Sequence, residues 1–230
     1  MTVWLPLETI GEDTPVQDVG GKARELGRLL ASGVRVPEGG CIPTHVYART
    51  IEAHGFREAL QLELNRKHFS DMRWEELWDA ALRIRAKFLK LAIPPDLAAA
   101  LGERLHARFG ERPVAVRSSA PSEDSAHTSF AGLHESFVDV RGTDEILRCV
   151  RLVWASLWSD RALLYRQELG LDVHASRMAV VVQAFVDGRP SGVAFSQNPL
   201  DPDQGVVEAV DDRGEAFVDG TAEPDRWLLD

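Results

Sequence analysis

Apolar and polar positions along the chain follow a helical period in the first half and a strand pattern in the second. Gly20 and Gly21 open a segment whose apolar residues fall on one stripe, and Gly33 supplies the left-handed residue that ends this helix. Further helices are predicted as follows: one that Thr44 caps and Gly55 ends, one over 74–91 and one over 96–109. The first half is therefore expected to be largely helical.

After Pro113 the pattern changes to short apolar runs separated by turns. The run Val114–Val116 ends abruptly at Arg117 and leads into a polar loop that extends through Gly132. Thr143 can cap a helix with apolar residues three and four positions apart. The predicted strands are 136–140, 178–186, 192–196 and 205–210. The second half is thus expected to be a sheet with covering helices.

Composition and charge exclude several classes of function. The chain has 230 residues, 44% of them hydrophobic, so it can bury a sizeable core. Its formal net charge of -10 repels nucleic-acid phosphates and anionic lipid, so neither nucleic acid nor a membrane is an expected partner. The sequence has no 18-residue apolar run and no signal-peptide pattern at its start, so a cytoplasmic location is expected. Its two cysteines, Cys41 and Cys149, are not in a CxxC or zinc-ligand pattern, so we expect neither a disulfide nor a structural metal.

The first candidate for chemistry is the run Gly20-Gly21-Lys22. Two glycines let the backbone approach a ligand, and a helix N-terminus presents unpaired N–H groups to an anion, with the Lys22 ammonium beside them. The alternative is an ordinary helix start with a solvated lysine.

The second candidate is Arg117, followed by Ser118 and Ser119. A guanidinium at the end of a buried strand can bind two phosphate oxygens, and the hydroxyls can donate beside it. The alternative is a structural ion pair of Arg117 with Glu123 or Asp124.

Two more segments could enclose a ligand. The loop 128–132 surrounds Phe130 with small residues, so it could fold over a polyphosphate, with Gly132 permitting close approach. The alternative is a turn in which Phe130 fills the core. At the end of the most apolar strand, the backbone of 183–186 could contact the edge of an adenine ring, although most apolar strand ends belong only to the core.

Taken in order, these segments resemble the N-terminal nucleotide-binding domain of the phosphoenolpyruvate synthase, pyruvate phosphate dikinase and rifampin phosphotransferase group. The matching stretches are VGGKARELGRLL (19–30), VPEGGCIPTHVY (36–47), VAVRSSAPSED (114–124), SFAGLHESFVDVRG (129–142), WASLWSDRALLYRQELG (154–170), MAVVVQAFV (178–186), SGVAFSQNP (191–199) and FVDGTAEPDRWLL (217–229). They span nearly the whole chain, and their order is more specific than any single motif.

The resemblance implies an α+β, ATP-grasp fold that binds ATP and Mg²⁺ between two lobes. Residues 1–183 would form the first lobe, and 184–230 the hinge and the beginning of the second. Carried over residue by residue, the family pattern implies phosphate ligands that act in catalysis at Lys22 and Arg117. It also implies a loop over the phosphates at Ser129, Phe130, Ala131 and Gly132, and an adenine-binding hinge at Gln183, Ala184, Phe185 and Val186.

The sequence also departs from the family pattern. Asp211-Asp212-Arg213-Gly214-Glu215 stands where relatives usually have a GLGE turn. Most Mg²⁺ ligands, a phosphohistidine domain and an acceptor-binding domain are expected beyond residue 230 or on a partner, so the chain is interpreted as a piece of a longer enzyme or as a shortened relative. Candidate carboxylates within it are Glu208, Asp211 and Asp212.

Two functions remain open at this point. In the first, the chain is the ATP-binding part of a phosphotransferase that passes a phosphoryl group through a histidine on another domain to pyruvate or a similar acceptor. In the second, it is a non-catalytic nucleotide-binding or interaction module that has lost the metal site. Whether the reading frame continues into acidic and histidine-bearing domains discriminates between them.

Overall fold

The computed structural model describes residues 2–121, 133–198, 203–212 and 221–229, residues 201, 214 and 217 individually, and the backbone at 124–125 and 128–129. The chain divides into two compact units, 1–185 and 186–230. Each unit is described separately below. The predicted division into lobes at residue 183 stays a prediction.

Helices dominate the first half of the first unit, as predicted. Their bounds are Val16–Ala31 (α1), Thr44–Ala53 (α2), Phe56–Leu64 (α3), Trp74–Phe88 (α4), Pro95–Phe109 (α5), Thr143–Ser156 (α6) and Asp160–Glu168 (α7). Short 3-10 turns occur at 7–9, 69–71 and 173–175.

The first unit contains a five-stranded antiparallel sheet. The described strands are Leu5–Pro6 (β1), Gly39–Ile42 (β2), Val114–Ser119 (β3), Asp124–Ser125 (β4), Thr128–Ser129 (β5), Ser136–Val140 (β6) and Ala179–Ala184 (β7). The order in the sheet is β1-β2-β7-β3-β6, and β4 and β5 form a separate hairpin. Because β7 lies in the middle and is covered on both faces, its sequence is a nearly continuous apolar run.

Helices cover both faces of this sheet. The larger core lies on one face, where Val116, Val180 and Val182 pack with α2 to α7 around the buried Tyr47 and Trp154. On the other face α1 packs over β2, β7 and β3 and encloses a smaller cluster. This mixture of helices and an antiparallel sheet agrees with the predicted α+β class.

The second unit is a three-stranded antiparallel sheet with the order β10-β9-β8. Its strands are Ser191–Phe195 (β8), Gly205–Val210 (β9) and Asp225–Leu229 (β10). Val206 and Val210 are buried on one face, whereas Trp227, paired with Val207 on the other face, is 51% exposed. The first two strands were predicted, and β10 was not.

The predicted cap residues are wrong in two helices. Thr44 is the first helical residue of α2 and not its cap, because its hydroxyl donates to the carbonyl of Gln17 at 2.8 Å. Thr143 likewise lies inside α6, and Gly142 precedes it with a φ of 76°. Helices α3 and α7 were not predicted as separate elements.

The third β-strand is longer than predicted. The apolar run stops at Val116, but β3 continues to Ser119 because β7 pairs with it along its whole length. Arg117 therefore lies within the strand and not in the loop after it.

Candidate functional site

Arg117 and Gln183 lie on the same face of the five-stranded sheet. In the β3–β7 pair Arg117 stands opposite Val181, and Ala115 stands opposite Gln183. Directly paired residues of antiparallel strands share a face, and residues two positions apart along a strand share it as well. Helix α1 covers Val181 on this face and leaves Arg117 exposed. The sheet thus brings two of the predicted ligands onto the face that α1 only partly covers.

Helix α1 is broken at Gly20, where it meets the end of β3. The φ of 76° and ψ of 169° at Gly20 are non-helical, and a Cβ added there would lie 2.0 Å from the carbonyl oxygen of Ser119. Ser119 Oγ donates to the carbonyl of Val19 at 2.7 Å and accepts from the N–H of Ala23 at 3.1 Å. Because these bonds flank the break, β3 fixes the direction of both halves of the helix.

Lys22 lies in the first turn after this break, as predicted. The free amides expected there are in part already used, because the N–H of Gly21 donates to the carbonyl of Ala120 at 3.2 Å and that of Ala23 donates to Ser119. Gly20 therefore allows close packing against β3, and the expectation of unpaired amides for an anion is wrong at Gly21 and Ala23. The group suited to bind a phosphate at this turn is the Lys22 side chain.

Lys22 and Arg117 are anchored to neighbouring positions of β3. Ser119, which holds the start of the second half of α1, follows Arg117 by two residues on the same face, roughly 7 Å along the strand. The Arg117 side chain makes no hydrogen bond or ion pair with any described residue. Its predicted alternative partners, Glu123 and the side chain of Asp124, lie outside the described part of the chain.

Two residues that sequence reasoning missed belong to the surroundings of Lys22. Burial, together with the positive charges of Arg166 and Lys22, lowers the pKa of His134 to about 3. Arg166 is itself only 4% exposed and donates to the carbonyl of Leu157 at 2.6 Å. An arginine among the apolar residues of α7 was the available signal, but periodicity alone does not show which face of a helix is buried.

We expect the imidazole of His134 to stay neutral between about pH 5 and 8. In the unfolded chain His134 takes up a proton near its ordinary pKa of 6.5, whereas in the folded protein it does not. The contribution of His134 to the stability of the folded state is therefore complete above pH 6.5 and is lost progressively as the pH falls below that value. The ring C–H resonances of His134, followed by NMR through a pH titration, check this. In the Lys22→Ala variant the pKa should rise, and a midpoint near neutrality in the native protein would contradict the assignment.

The predicted hinge residues have less free backbone than expected. The N–H of Ala184 donates to the carbonyl of Glu38 at 2.8 Å, and the N–H of Phe185 donates to the carbonyl of Pro113 at 2.9 Å. Neither amide is therefore available to adenine in this arrangement. Val186, the next residue, is 65% exposed.

Gln183 is held in a defined position at the end of β7. Its Nε2 donates to the carbonyl of Pro37 at 3.3 Å, and the residue is only 5% exposed. It crosses over Gly39, where an added Cβ would come within 2.7 Å of Gln183 Cγ. A glycine opposite Gln183 is thus required for this side-chain position.

The predicted phosphate loop is described only in its backbone hairpin. Thr128 and Ser129 pair with Asp124 and Ser125. The side chain of Ser129 and all of Phe130, Ala131 and Gly132 lie outside the described residues.

Two of the three candidate metal ligands of the second unit, Glu208 and Asp212, are near arginines. Arg226 Nε donates to Glu208 Oε1 at 2.6 Å, and the Asp212 carboxylate lies 3.4 Å from Arg189 Nη2. Among the residues that the structure describes, no three His, Cys, Asp or Glu side chains group as metal ligands. No helix in the described part is long and apolar enough to cross a membrane.

Known proteins match nearly the whole chain. The family model described as "Pyruvate phosphate dikinase, AMP/ATP-binding domain" matches residues 16–230. A phosphoenolpyruvate synthase of Aeropyrum pernix is 39% identical over 218 residues, covering 92% of this chain and 26% of the relative. A rifampicin phosphotransferase of Streptomyces sviceus is 40% identical over 225 residues, covering 96% of this chain and 26% of the relative.

The same pattern holds for a third relative. A rifampicin phosphotransferase of Bacillus subtilis is 35% identical over 218 residues, covering 93% of this chain and 25% of the relative. The chain therefore spans about a quarter of the length of these curated relatives. By its match from residue 16 to residue 230, the chain belongs to the family of pyruvate phosphate dikinase AMP/ATP-binding domains.

Proposed function

We propose that this chain is the ATP-binding part of a dikinase-type phosphotransferase with an ATP-grasp fold. The whole enzyme would pass a phosphoryl group from ATP through a histidine on another domain to pyruvate or a similar acceptor. The observation that supports the proposal is that Arg117 and Gln183 share one face of the sheet, while the turn that carries Lys22 is held against the end of the same strand by Ser119. The names of its relatives, phosphoenolpyruvate synthase and rifampicin phosphotransferase, support this class of reaction.

Each part of the site has a distinct task in this proposal. Lys22 and Arg117 bind the phosphates and offset their charge, which is the main task of a protein in phosphoryl transfer. The residues Ser129 to Gly132 cover the phosphates, and Gln183 to Val186 contact adenine. Because the amides of Ala184 and Phe185 are already bonded, adenine contacts there fall to carbonyl oxygens and to Val186.

Positioning of Lys22 and Arg117 is built into the fold. Arg117 is part of β3, and the helical turn that carries Lys22 is bonded to β3 through the Ser119 hydroxyl. A polyphosphate carries several negative charges, so it needs cationic groups that converge from separate elements. Here the two cationic groups come from a strand and a helix that are bonded to each other, so no loop has to become ordered to position them.

When bound, Mg²⁺ would supply positive charge that offsets the charge developing on the phosphates. Two of the three candidate carboxylates, Glu208 and Asp212, are near arginines in the second unit. This observation favours, as the second candidate, a chain that binds nucleotide without completing a metal site of its own.

Calorimetric titration of the 230-residue chain with ATP tests the proposal. We expect saturable binding, and we expect Arg117→Ala to weaken it about tenfold to a hundredfold because one charge-assisted contact to phosphate is lost. Lys22→Ala should have an effect of similar size. Both candidates lack most Mg²⁺ ligands within these 230 residues, so they are separated by whether the reading frame continues into acidic and histidine-bearing domains.

Arg161→Ala is the matched control. Arg161 is exposed on α7 and has no partner among the described residues, so its loss changes the net charge by the same amount without touching the site. Equal ATP affinity of folded Arg117→Ala and Arg161→Ala would refute the phosphate assignment of Arg117.

A further inference from the structure

One cavity is lined by residues that the proposed ATP site does not use. It has a volume of about 270 Å³, and its lining includes Gln17 of α1, Pro121 after β3, Arg166 of α7 and Asp172, Ser176 and Arg177 of the segment before β7. This volume is below the roughly 300–1,000 Å³ typical of pockets for drug-sized ligands, so any ligand is small. None of Lys22, Arg117 and Gln183 lines it.

A buried cation forms part of the wall of this cavity. Arg166 is 4% exposed, and its Nη1 donates to the carbonyls of Leu157 at 2.6 Å and Ala162 at 3.3 Å, which fix the guanidinium between α6 and α7. Burial lowers the pKa of Arg166 to about 10, so it remains charged at neutral pH. A charge held in low-dielectric surroundings is weakly screened and acts over a longer range than a surface charge.

The remaining polar groups of the lining are mainly donors without partners. Arg177 is exposed and makes no hydrogen bond or ion pair with the described residues, and the same is true of the side-chain amide of Gln17. Ser176 Oγ is buried and lacks a partner in the described part of the chain. A buried hydroxyl without a partner is costly, which indicates a group that a ligand or water satisfies.

The charge balance of the lining selects the sign of the ligand. The acidic residue of the described lining is Asp172, and its carboxylate already accepts the N–H of His174 at 2.8 Å as the cap of a 3-10 turn. Two guanidinium groups therefore face one engaged carboxylate, on a chain whose net charge is -10. The described lining thus carries more positive than negative side chains, in contrast to the whole chain.

We propose that this cavity binds a small free oxyanion of the phosphate type, separately from ATP. Arg177 and Ser176 donate hydrogen bonds to the anion, Gln17 can add a third, and Arg166 supplies a fixed positive charge behind them. Charge-assisted bonds from a guanidinium fork suit a tetrahedral oxyanion better than they suit a spherical halide.

Titration of the chain with inorganic phosphate tests this site, with amide resonances followed by NMR at constant ionic strength and chloride as the reference anion. We expect saturable shifts at Ser176 and Arg177 with phosphate and none with chloride. Arg177→Gln should weaken phosphate binding at least about tenfold, because it removes a charged donor. Ser176→Ala should weaken it less, because the hydroxyl is neutral.

Arg161→Gln is the control, since it removes an exposed arginine of α7 that does not line the cavity. An unchanged affinity in Arg177→Gln, shifts that do not saturate, or shifts confined to Lys22 and Arg117 would each overturn the proposal. The experiment contains no nucleotide, so failure of the proposed ATP binding leaves its result readable. Failure of the phosphate site likewise leaves the ATP titration unaffected.

Discussion

Replacing Gly20 with alanine is expected to destabilise the protein by about 3–5 kcal/mol, because strain and steric overlap add at this position. The backbone at Gly20 has a φ of 76° and a ψ of 169°, a region that is open almost only to glycine. A Cβ there would also lie 2.0 Å from the Ser119 carbonyl oxygen, so α1 or β3 must move. Urea denaturation followed by circular dichroism measures the loss.

Gly33→Ala separates the two contributions. Gly33 also has a positive φ, of 81°, but an added Cβ would meet nothing within 4 Å. We expect this variant to lose only about 1 kcal/mol, the cost of the backbone conformation alone. If both alanine variants lose the same stability, the close approach of α1 to β3 is not what requires glycine at position 20.

The movement of α1 or β3 in Gly20→Ala should also displace Lys22. Lys22 is two residues beyond Gly20, and the Ser119 hydroxyl that would be displaced also accepts the N–H of Ala23. The stability of this region and the position of Lys22 thus depend on the same few atoms around Gly20 and Ser119.

The sequence predicted that Lys22 lies in a first helical turn, which the structure confirms, but it left open whether the glycines before it bind an anion or only begin the helix. The pattern Gly-Gly-Lys at a helix start is compatible with anion binding by amides and with close packing of a helix on a strand. The two differ only in what lies opposite, which here is Ser119, nearly a hundred residues away along the chain. A contact of that range is not encoded in local pattern.

The spacing of apolar residues predicted secondary structure best where the pattern lies within a single element. The apolar run of β7 predicted a central strand, and the stripes of α4 and α5 predicted helices close to their observed bounds. Helix α3 was missed although Phe56, Leu60 and Leu64 follow at intervals of four, because an exposed leucine at 62 and a buried glutamate at 63 obscure its apolar stripe.

The polar contacts of the core were not predictable either. The amides of Ala184 and Phe185 are bonded to Glu38 and Pro113, which belong to other segments of the first unit. Likewise, nothing in the stretch QLELNRK shows that Glu63 is buried. The cations that bind its carboxylate, Arg83 and Lys87, belong to α4.

Glu63→Gln is expected to cost roughly 3 kcal/mol at neutral pH, because a buried carboxylate among cations is lost. Glu63 is 3% exposed, and its two oxygens accept from Arg83 Nε at 2.8 Å and from Lys87 Nζ at 2.7 Å. Burial alone would raise its pKa, but the hydrogen bonds from Lys87 and Arg83 outweigh burial and lower it. The expected loss of unfolding free energy is at the low end of the range for buried ion pairs because both cations are partly exposed to solvent.

The dependence on pH identifies the cause. A carboxyl group with a lowered pKa in the folded state contributes stability that is complete above its unfolded pKa of about 4.3 and is lost as the pH falls through the folded value. The difference between the native protein and Glu63→Gln should therefore shrink in acid, as measured by urea denaturation at a series of pH values. Glu145→Gln, which breaks the solvent-exposed pair with Arg148, serves as the control and should change little at any pH. A Glu63→Gln deficit that is the same at neutral and acid pH would mean that packing of the side chain, and not its charge, stabilises α3 against α4.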